Sequence, residues 1–90
     1  MGTAIIKIKI MPDDPKTNLD EIEKKAKEII SKSTISRIKS EKEPIAFGLV
    51  ALYLIFAFDE EKSTDEMENS LRKLPHVSSA EIVDFRRALG

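Results

Sequence analysis

The sequence predicts an α+β fold of the ferredoxin-like type, a four-stranded antiparallel sheet with two helices on one face, in the chain order β-α-β-β-α-β. Three observations predict it: an alternating apolar strand near the start, two segments with helical periodicity, and one long segment that is apolar on both faces. Right-handed crossovers would bring both helices to the same side of the sheet. The 90 residues are expected to form one domain, residues 1–90.

The first strand is predicted by strict alternation. Ile6, Ile8 and Ile10 point to one face, whereas Lys7 and Lys9 point to the other. This pattern is typical of a half-buried strand whose lysines lie on a solvated face. Two prolines and two aspartates at positions 12–15 end the strand.

A helix is predicted after the prolines. Thr17 or Asn18 can cap it, with Asp20 or Glu21 three residues later. Its apolar residues recur at spacings of three and four, at Leu19, Ile22, Ala26, Ile29 and Ile30. Such a stripe buries one side of the helix.

Two strands are predicted in the middle of the chain. Residues 34–40 mix β-branched residues with polar and charged ones, which suits an edge strand, and residues 41–44 are expected to form a turn. Residues 48–58 are apolar at nearly every position. A strand of this kind belongs in the centre of the sheet, beside the first strand.

The last third predicts a short helix and a final strand. The helix begins with a capping box at residues 63–66 and ends before Pro75. Its apolar positions are Met67, Leu71 and Leu74. The strand covers residues 77–85, with Ala80 and Ile82 on one face and Val83 and Phe85 on the other.

Composition excludes several chemistries. The chain has no cysteine, one histidine (His76) and three glycines, so it can form neither a thiolate site nor a glycine-rich phosphate loop. The carboxylates cluster at helix starts, and no acid–base pair stands out. We therefore expect no catalytic residue, no metal site, no cofactor, and no nucleotide bound by this chain alone.

Charge and hydropathy indicate a cytoplasmic protein. The net charge is −1, whereas a protein that acts on nucleic acid should have a basic excess, so no direct nucleic-acid partner is expected. The longest run without a charged residue, 44–58, is shorter than the about 20 residues that span a bilayer. No targeting segment is recognised, and no membrane association is expected.

The face of the sheet opposite the helices leaves two alternative functions open. It is expected to carry Tyr53 and Ile55 beside Lys7 and Lys9. An RNA-recognition sheet needs exposed aromatics on its central strands, and here the first strand has none. An RNA-binding module, or a small-molecule-binding module that dimerises through this face, remains an alternative.

Residues 43–48 are unusual for a loop between an edge strand and a central strand. Such a loop normally carries polar turn residues, yet this one carries Ile45 and Phe47 beside Gly48. Either Phe47 folds inward and plugs one end of the core, or it is an exposed anchor for a partner. Gly48 permits a positive φ or a close backbone approach.

The run Pro-Ile-Ala-Phe-Gly-Leu at residues 44–49, entered through Glu43, resembles a segment of the elongation factor 1-beta family. Residues 8–12, 59–61 and 83–87 are similar to the same family, so the resemblance covers the whole chain. It looks like the short archaeal form, which has only the guanine-nucleotide exchange domain.

The resemblance implies an exchange factor that docks on the GTPase elongation factor 1-alpha and promotes GDP release during translation elongation, without bond-making chemistry of its own. In this family an aromatic at the position of Phe47 contacts the partner, and a basic residue near the chain end reaches the partner's Mg²⁺ and phosphate region. Arg87, or its neighbour Arg86, takes that second position, where eukaryotic members have lysine. The partner-binding residues implied are Pro44, Ile45, Ala46, Phe47, Gly48, Arg86 and Arg87.

Overall fold

The computed structural model describes residues 2–34 and 37–87 and has the predicted ferredoxin-like architecture. Its elements are β1 (Thr3–Pro12), α1 (Leu19–Ser31), β2 (Lys39–Pro44), a 3₁₀ turn (Ala46–Gly48), β3 (Val50–Asp59), α2 (Asp65–Arg72) and β4 (Val77–Arg87). The antiparallel strands lie in the order β2-β3-β1-β4, so β1 and β3 are central, as predicted.

The core lies between one face of the sheet and the two helices. Alternate residues of β1 and β3 are buried, and the helices cover them with their apolar stripes. The buried side chains of this core cluster are Ala4, Ile6, Ile8 and Ile10 of β1; Leu52, Leu54, Phe56 and Phe58 of β3; Ile22, Ala26 and Ile30 of α1; Met67 and Leu71 of α2; and Ala80 of β4. Each fully buried isoleucine or leucine contributes about 1.5–3 kcal/mol, so the period-two pattern is the main determinant of the sheet.

Helix α1 begins with a side-chain cap. Of the two predicted caps, Asn18 is the one used, because its Oδ1 accepts a hydrogen bond from the backbone N–H of Asp20 at 3.0 Å. Leu19 and Ile29 flank the buried stripe and pack against the core. The cap and the stripe together fix where the helix starts and which side it buries.

The prediction for β2 is wrong in position. The strand runs from Lys39 to Pro44, so the expected turn at 41–44 belongs to it, and the expected strand at 34–40 starts too early. Residues 35 and 36 lie outside the described residues. Strand β2 is exposed at nearly every position and so has no apolar periodicity to reveal it; pairing with β3, such as Glu41 opposite Tyr53, defines it.

Two boundaries also differ from expectation. Strand β3 begins at Val50 rather than at 48. The capping box at 63–66 does not form, because Thr64 is the N-cap residue and makes no side-chain hydrogen bond. Ser63 Oγ instead accepts a hydrogen bond from the N–H of Asp65 at 3.2 Å.

Strand β4 contains a bulge. Lys7 pairs with Asp84 while the next residue of β1, Ile8, pairs with Ile82, which leaves Val83 without an opposite residue. An extra residue of this kind reverses the alternation of side chains beyond it.

The bulge corrects the predicted faces of the last strand. Phe85 lies opposite Ile6, a core residue, and therefore on the helix-covered side together with Ala80, not on the opposite side. It is still 51% exposed. Strand β4 also continues through Arg86 and Arg87, which the sequence placed after the strand.

Candidate functional site

Residues 44–49 form a closed turn between β2 and β3, here called the Phe47 turn. The N–H of Ile45 donates to the carbonyl of Leu49 at 2.8 Å, and the N–H of Leu49 donates to the carbonyl of Ala46 at 3.2 Å. These bonds hold the 3₁₀ turn of Ala46–Gly48 between two strands that pair directly. The turn is therefore fixed to the sheet at both ends.

Phe47 lies at the exposed tip of this turn. Its side chain is 93% exposed, and its backbone has φ 62° and ψ 29°, in the left-handed region. That conformation costs a residue with a Cβ about 1–2 kcal/mol, and exposure forgoes the about 2 kcal/mol that burial of a phenylalanine contributes. The interpretation of Phe47 as a core plug is therefore wrong, and the ring contributes nothing to the core.

Gly48 follows in the same backbone region, with φ 77°. Two consecutive left-handed residues turn the chain sharply enough to present Phe47, and glycine adopts this conformation without a steric penalty. Pro15, in the loop between β1 and α1, lies beside Gly48. Sequence reasoning did not predict this contact.

The turn presents a continuous apolar surface. Five successive residues, from 44 to 48, are exposed, and none of them has a polar side chain. Exposed apolar patches of this kind mark interaction sites more often than they serve stability. The predicted residues of the 44–48 segment are thus brought together around Phe47.

The two predicted arginines lie on opposite faces of β4. Arg86 is opposite Ile5 on the open face, and its Nε lies 3.0 Å from Oδ2 of Asp84. Arg87 is opposite Ala4, a buried residue, and so lies on the helix-covered side. Its Nε lies 2.7 Å from Oε2 of Glu60, a contact that sequence reasoning missed.

The predicted site residues form two patches rather than one. The Phe47 turn precedes Val50, whereas Arg87 pairs with Ala4, whose other neighbour is Phe58, near the far end of β3. Val50 and Phe58 are eight steps apart along the strand, which is about 27 Å. The two patches therefore lie at opposite ends of a molecule whose longest dimension is 41 Å.

The open face carries the predicted tyrosine and lysines, but the tyrosine ring is covered. Nζ of Lys7 lies 4.7 Å from the centroid of the Tyr53 ring and 3.9 Å from Oε1 of Glu41. The Tyr53 hydroxyl donates to Oε1 of Glu43 at 3.2 Å. Desolvation, and then this carboxylate, raise the pKa of Tyr53. The ring is already engaged, so it offers no free platform on which a base could stack.

The described residues, 2–34 and 37–87, contain no group of three or more side chains that could together hold a metal ion. Within the same part of the chain, no helix has the length and apolar character needed to cross a bilayer. His76 is exposed, has φ 67°, and its Nδ1 lies 3.6 Å from Oδ2 of Asp13.

Comparison with known proteins assigns the family. Residues 5–88 match the EF-1 guanine nucleotide exchange domain. The chain belongs to this family. It is 38% identical to elongation factor 1-beta of Methanocaldococcus jannaschii over 89 residues, which are 98% of this chain and 100% of the relative. It is 47% identical to elongation factor 1-beta of Thermococcus onnurineus over 82 residues, 89% of each chain.

A third relative, elongation factor 1-beta of Methanobrevibacter smithii, is 41% identical over 90 residues, 99% of this chain and 100% of the relative. The resemblance found in the sequence is thus confirmed. As an EF-1 guanine nucleotide exchange domain, the chain has a role in guanine-nucleotide exchange during translation elongation, which implies a GTPase as its partner. No observation favours the RNA-binding or small-molecule alternatives.

Proposed function

We propose that this chain binds elongation factor 1-alpha in the cytoplasm and promotes GDP release, acting through binding alone and not through bond-making chemistry. The observation that carries the proposal is the exposed phenylalanine at the tip of the Phe47 turn, held in a left-handed conformation. Aromatic anchors that enter a pocket of the partner dominate many interfaces. Because the turn is closed by its own hydrogen bonds, little backbone freedom is lost on docking.

Arg87 is the second proposed contact, directed at the phosphates and Mg²⁺ region of the GTPase. A guanidinium is always charged, matches phosphate oxygens with paired donors, and opposes a metal cation nearby. Arg87 is preferred to Arg86 because its carboxylate partner, Glu60, is only 20% exposed, whereas the partner of Arg86, Asp84, is 42% exposed. A less exposed partner orders the arginine better.

The separation of the two patches suggests how docking acts on the nucleotide. The Phe47 turn and Arg87 lie at opposite ends of the sheet and would engage two separate regions of the GTPase. Binding that favours the nucleotide-free arrangement of those regions must lower the affinity for GDP·Mg²⁺. By linkage, GDP·Mg²⁺ then lowers the affinity for this chain by the same factor.

The proposal is tested by release of a fluorescent GDP analogue from elongation factor 1-alpha of the same source, with and without this chain. Acceleration by substoichiometric chain is the expected result, because an exchange factor is released and acts again. Chelation of Mg²⁺ by EDTA is the positive control for a releasable nucleotide. Release that EDTA accelerates and this chain does not would contradict the proposal.

A further inference from the structure

Glu60, the residue after β3, folds back over the start of β1. Its backbone N–H donates to the carbonyl of Gly2 at 3.1 Å, and its side chain then covers the α-carbon of Gly2. A Cβ added to Gly2 would overlap Oε1 of Glu60, so the carboxylate occupies space that only glycine leaves open. The carboxylate is thereby held against the backbone.

The carboxylate contacts Arg87 from this fixed position. Oε2 of Glu60 has almost no contact with solvent, and Nε of Arg87 lies 2.7 Å away. The Nε–H bond of Arg87 does not point at Oε2 of Glu60, so this contact is not a hydrogen bond. Within the described part of the chain, Oε2 accepts no other hydrogen bond. The attraction is therefore that of an ion pair with one desolvated oxygen, and it exceeds that of a pair in open water.

The contact leaves Arg87 available to a ligand. The closest approach is through Nε, the innermost nitrogen of the guanidinium, and the side chain remains 76% exposed. Most N–H donors of a guanidinium are on its two outer nitrogens, which are not the atoms nearest Glu60. Glu60 thus restrains the base of the guanidinium and does not cover its donors.

We propose that Glu60 is a positioning residue, which orients Arg87 toward the phosphates of the bound nucleotide, and that Gly2 provides the space for its carboxylate; this inference rests on the proposed function. A free arginine side chain has many rotamers and loses that freedom when it binds. An arginine restrained beforehand loses less, so exchange is faster at the same number of contacts. The role differs from that of Asp84, whose pairing with Arg86 lies on the open face.

Two substitutions test it by different routes. Glu60→Gln keeps the shape and removes the charge, whereas Gly2→Ala keeps the charge and displaces the carboxylate. We expect each to slow stimulated GDP release by about three- to tenfold, the factor that corresponds to ordering one long side chain on docking. Asp84→Asn is the matched control, because it removes the charge of the carboxylate that pairs with Arg86. Exchange by this variant should stay unchanged.

A merely structural role is distinguished by a double variant. If Glu60 acts through Arg87, then Glu60→Gln has no further effect on exchange in the Arg87→Ala background. Wild-type exchange by Glu60→Gln overturns the inference, and so does faster exchange, because the contact would then restrain Arg87 from docking. A loss that persists without Arg87 also overturns it. If the wild-type chain itself does not accelerate GDP release, the proposed function is wrong. The wild-type assay alone shows this, so it is distinguished from a failure of the inference about Glu60.

Discussion

A Cβ placed on Gly48 would lie 3.7 Å from the Cβ of Pro15, an ordinary van der Waals distance. Space therefore does not require glycine at this position. The requirement comes from the backbone, whose φ of 77° disfavours residues with a Cβ.

Replacement of Gly48 should show that distinction. We expect Gly48→Ala to lower the free energy of unfolding by about 1 kcal/mol or somewhat more, the cost of the left-handed conformation. Gly48→Asn should lower it less, because asparagine tolerates this region. Urea unfolding monitored by circular dichroism measures both. If asparagine is as damaging as alanine or worse, crowding against Pro15 and not the backbone is the cause.

Substitution of Phe47 should reduce exchange activity and leave the stability of the domain nearly unchanged. Phe47→Ala is expected to reduce stimulated GDP release about tenfold or more, as loss of an aromatic anchor does. Since the ring is 93% exposed, the free energy of unfolding should change by no more than about 0.5 kcal/mol. Ile5→Ala, at an exposed apolar residue of the open face, is the control and should leave exchange intact. An equal loss in both variants would remove the special role of the turn.

Arg87 and Arg86 should differ although they are adjacent. Arg87→Ala is expected to lower the maximal exchange rate about tenfold, because a charge-assisted contact to phosphate is removed, whereas Arg86→Ala should change it less than twofold. Titration of the exchange factor against a fixed amount of GTPase separates the maximal rate from the affinity. Equal effects would mean that the face of the strand does not matter.

The ion pair between Lys42 and Asp20 should give a defined pH dependence of stability. Nζ of Lys42 donates to Oδ1 of Asp20 at 2.6 Å and links β2 to the first turn of α1. This hydrogen bond lowers the pKa of Asp20 below its ordinary 3.8, and it raises the pKa of Lys42 above its ordinary 10.5. The contribution of Asp20 is therefore present above pH 3.8 and lost as pH falls through the lowered value. The contribution of Lys42 is present below pH 10.5 and lost as pH rises through the raised value.

The measurement compares thermal unfolding of the wild type and Lys42→Met from acid to alkaline pH. The wild type should be slightly the more stable across neutral pH, and the difference should disappear in strong acid and in strong alkali. Lys62→Met, which removes the same charge from an exposed turn, should give no such profile. A difference that persists at acid pH would show that Lys42 acts through packing of its stem and not through its charge.

The fold was predictable because its main elements have a buried face. The alternation of Ile6, Ile8 and Ile10 and the stripe of Ile22, Ala26 and Ile30 each follow from burial against the same core. Strand β2 was misplaced because it has no buried face. Its position follows from hydrogen bonding to β3, which the residues of β2 do not reveal.

The site was only partly predictable, for a similar reason. An apolar run beside a glycine in a loop is a local signal, and it led to Phe47. The contact between Glu60 and Arg87 joins residues that are distant in the chain, and it depends on a glycine that leaves room near the start. From the sequence, the acidic residues 59–61 indicated only where the preceding strand ends, and not that one of them contacts Arg87.

The bulge at Val83 determines to which face of the sheet each later side chain of β4 points. It shifts the parity of every residue after it, so that Arg87 and not Arg86 comes to the side of Glu60. If residue 83 were paired and the same residues alternated regularly, Arg86 and not Arg87 would come to that side. Which arginine meets the carboxylate is thus decided earlier in the strand than either of them, by the one residue that the sheet leaves unpaired.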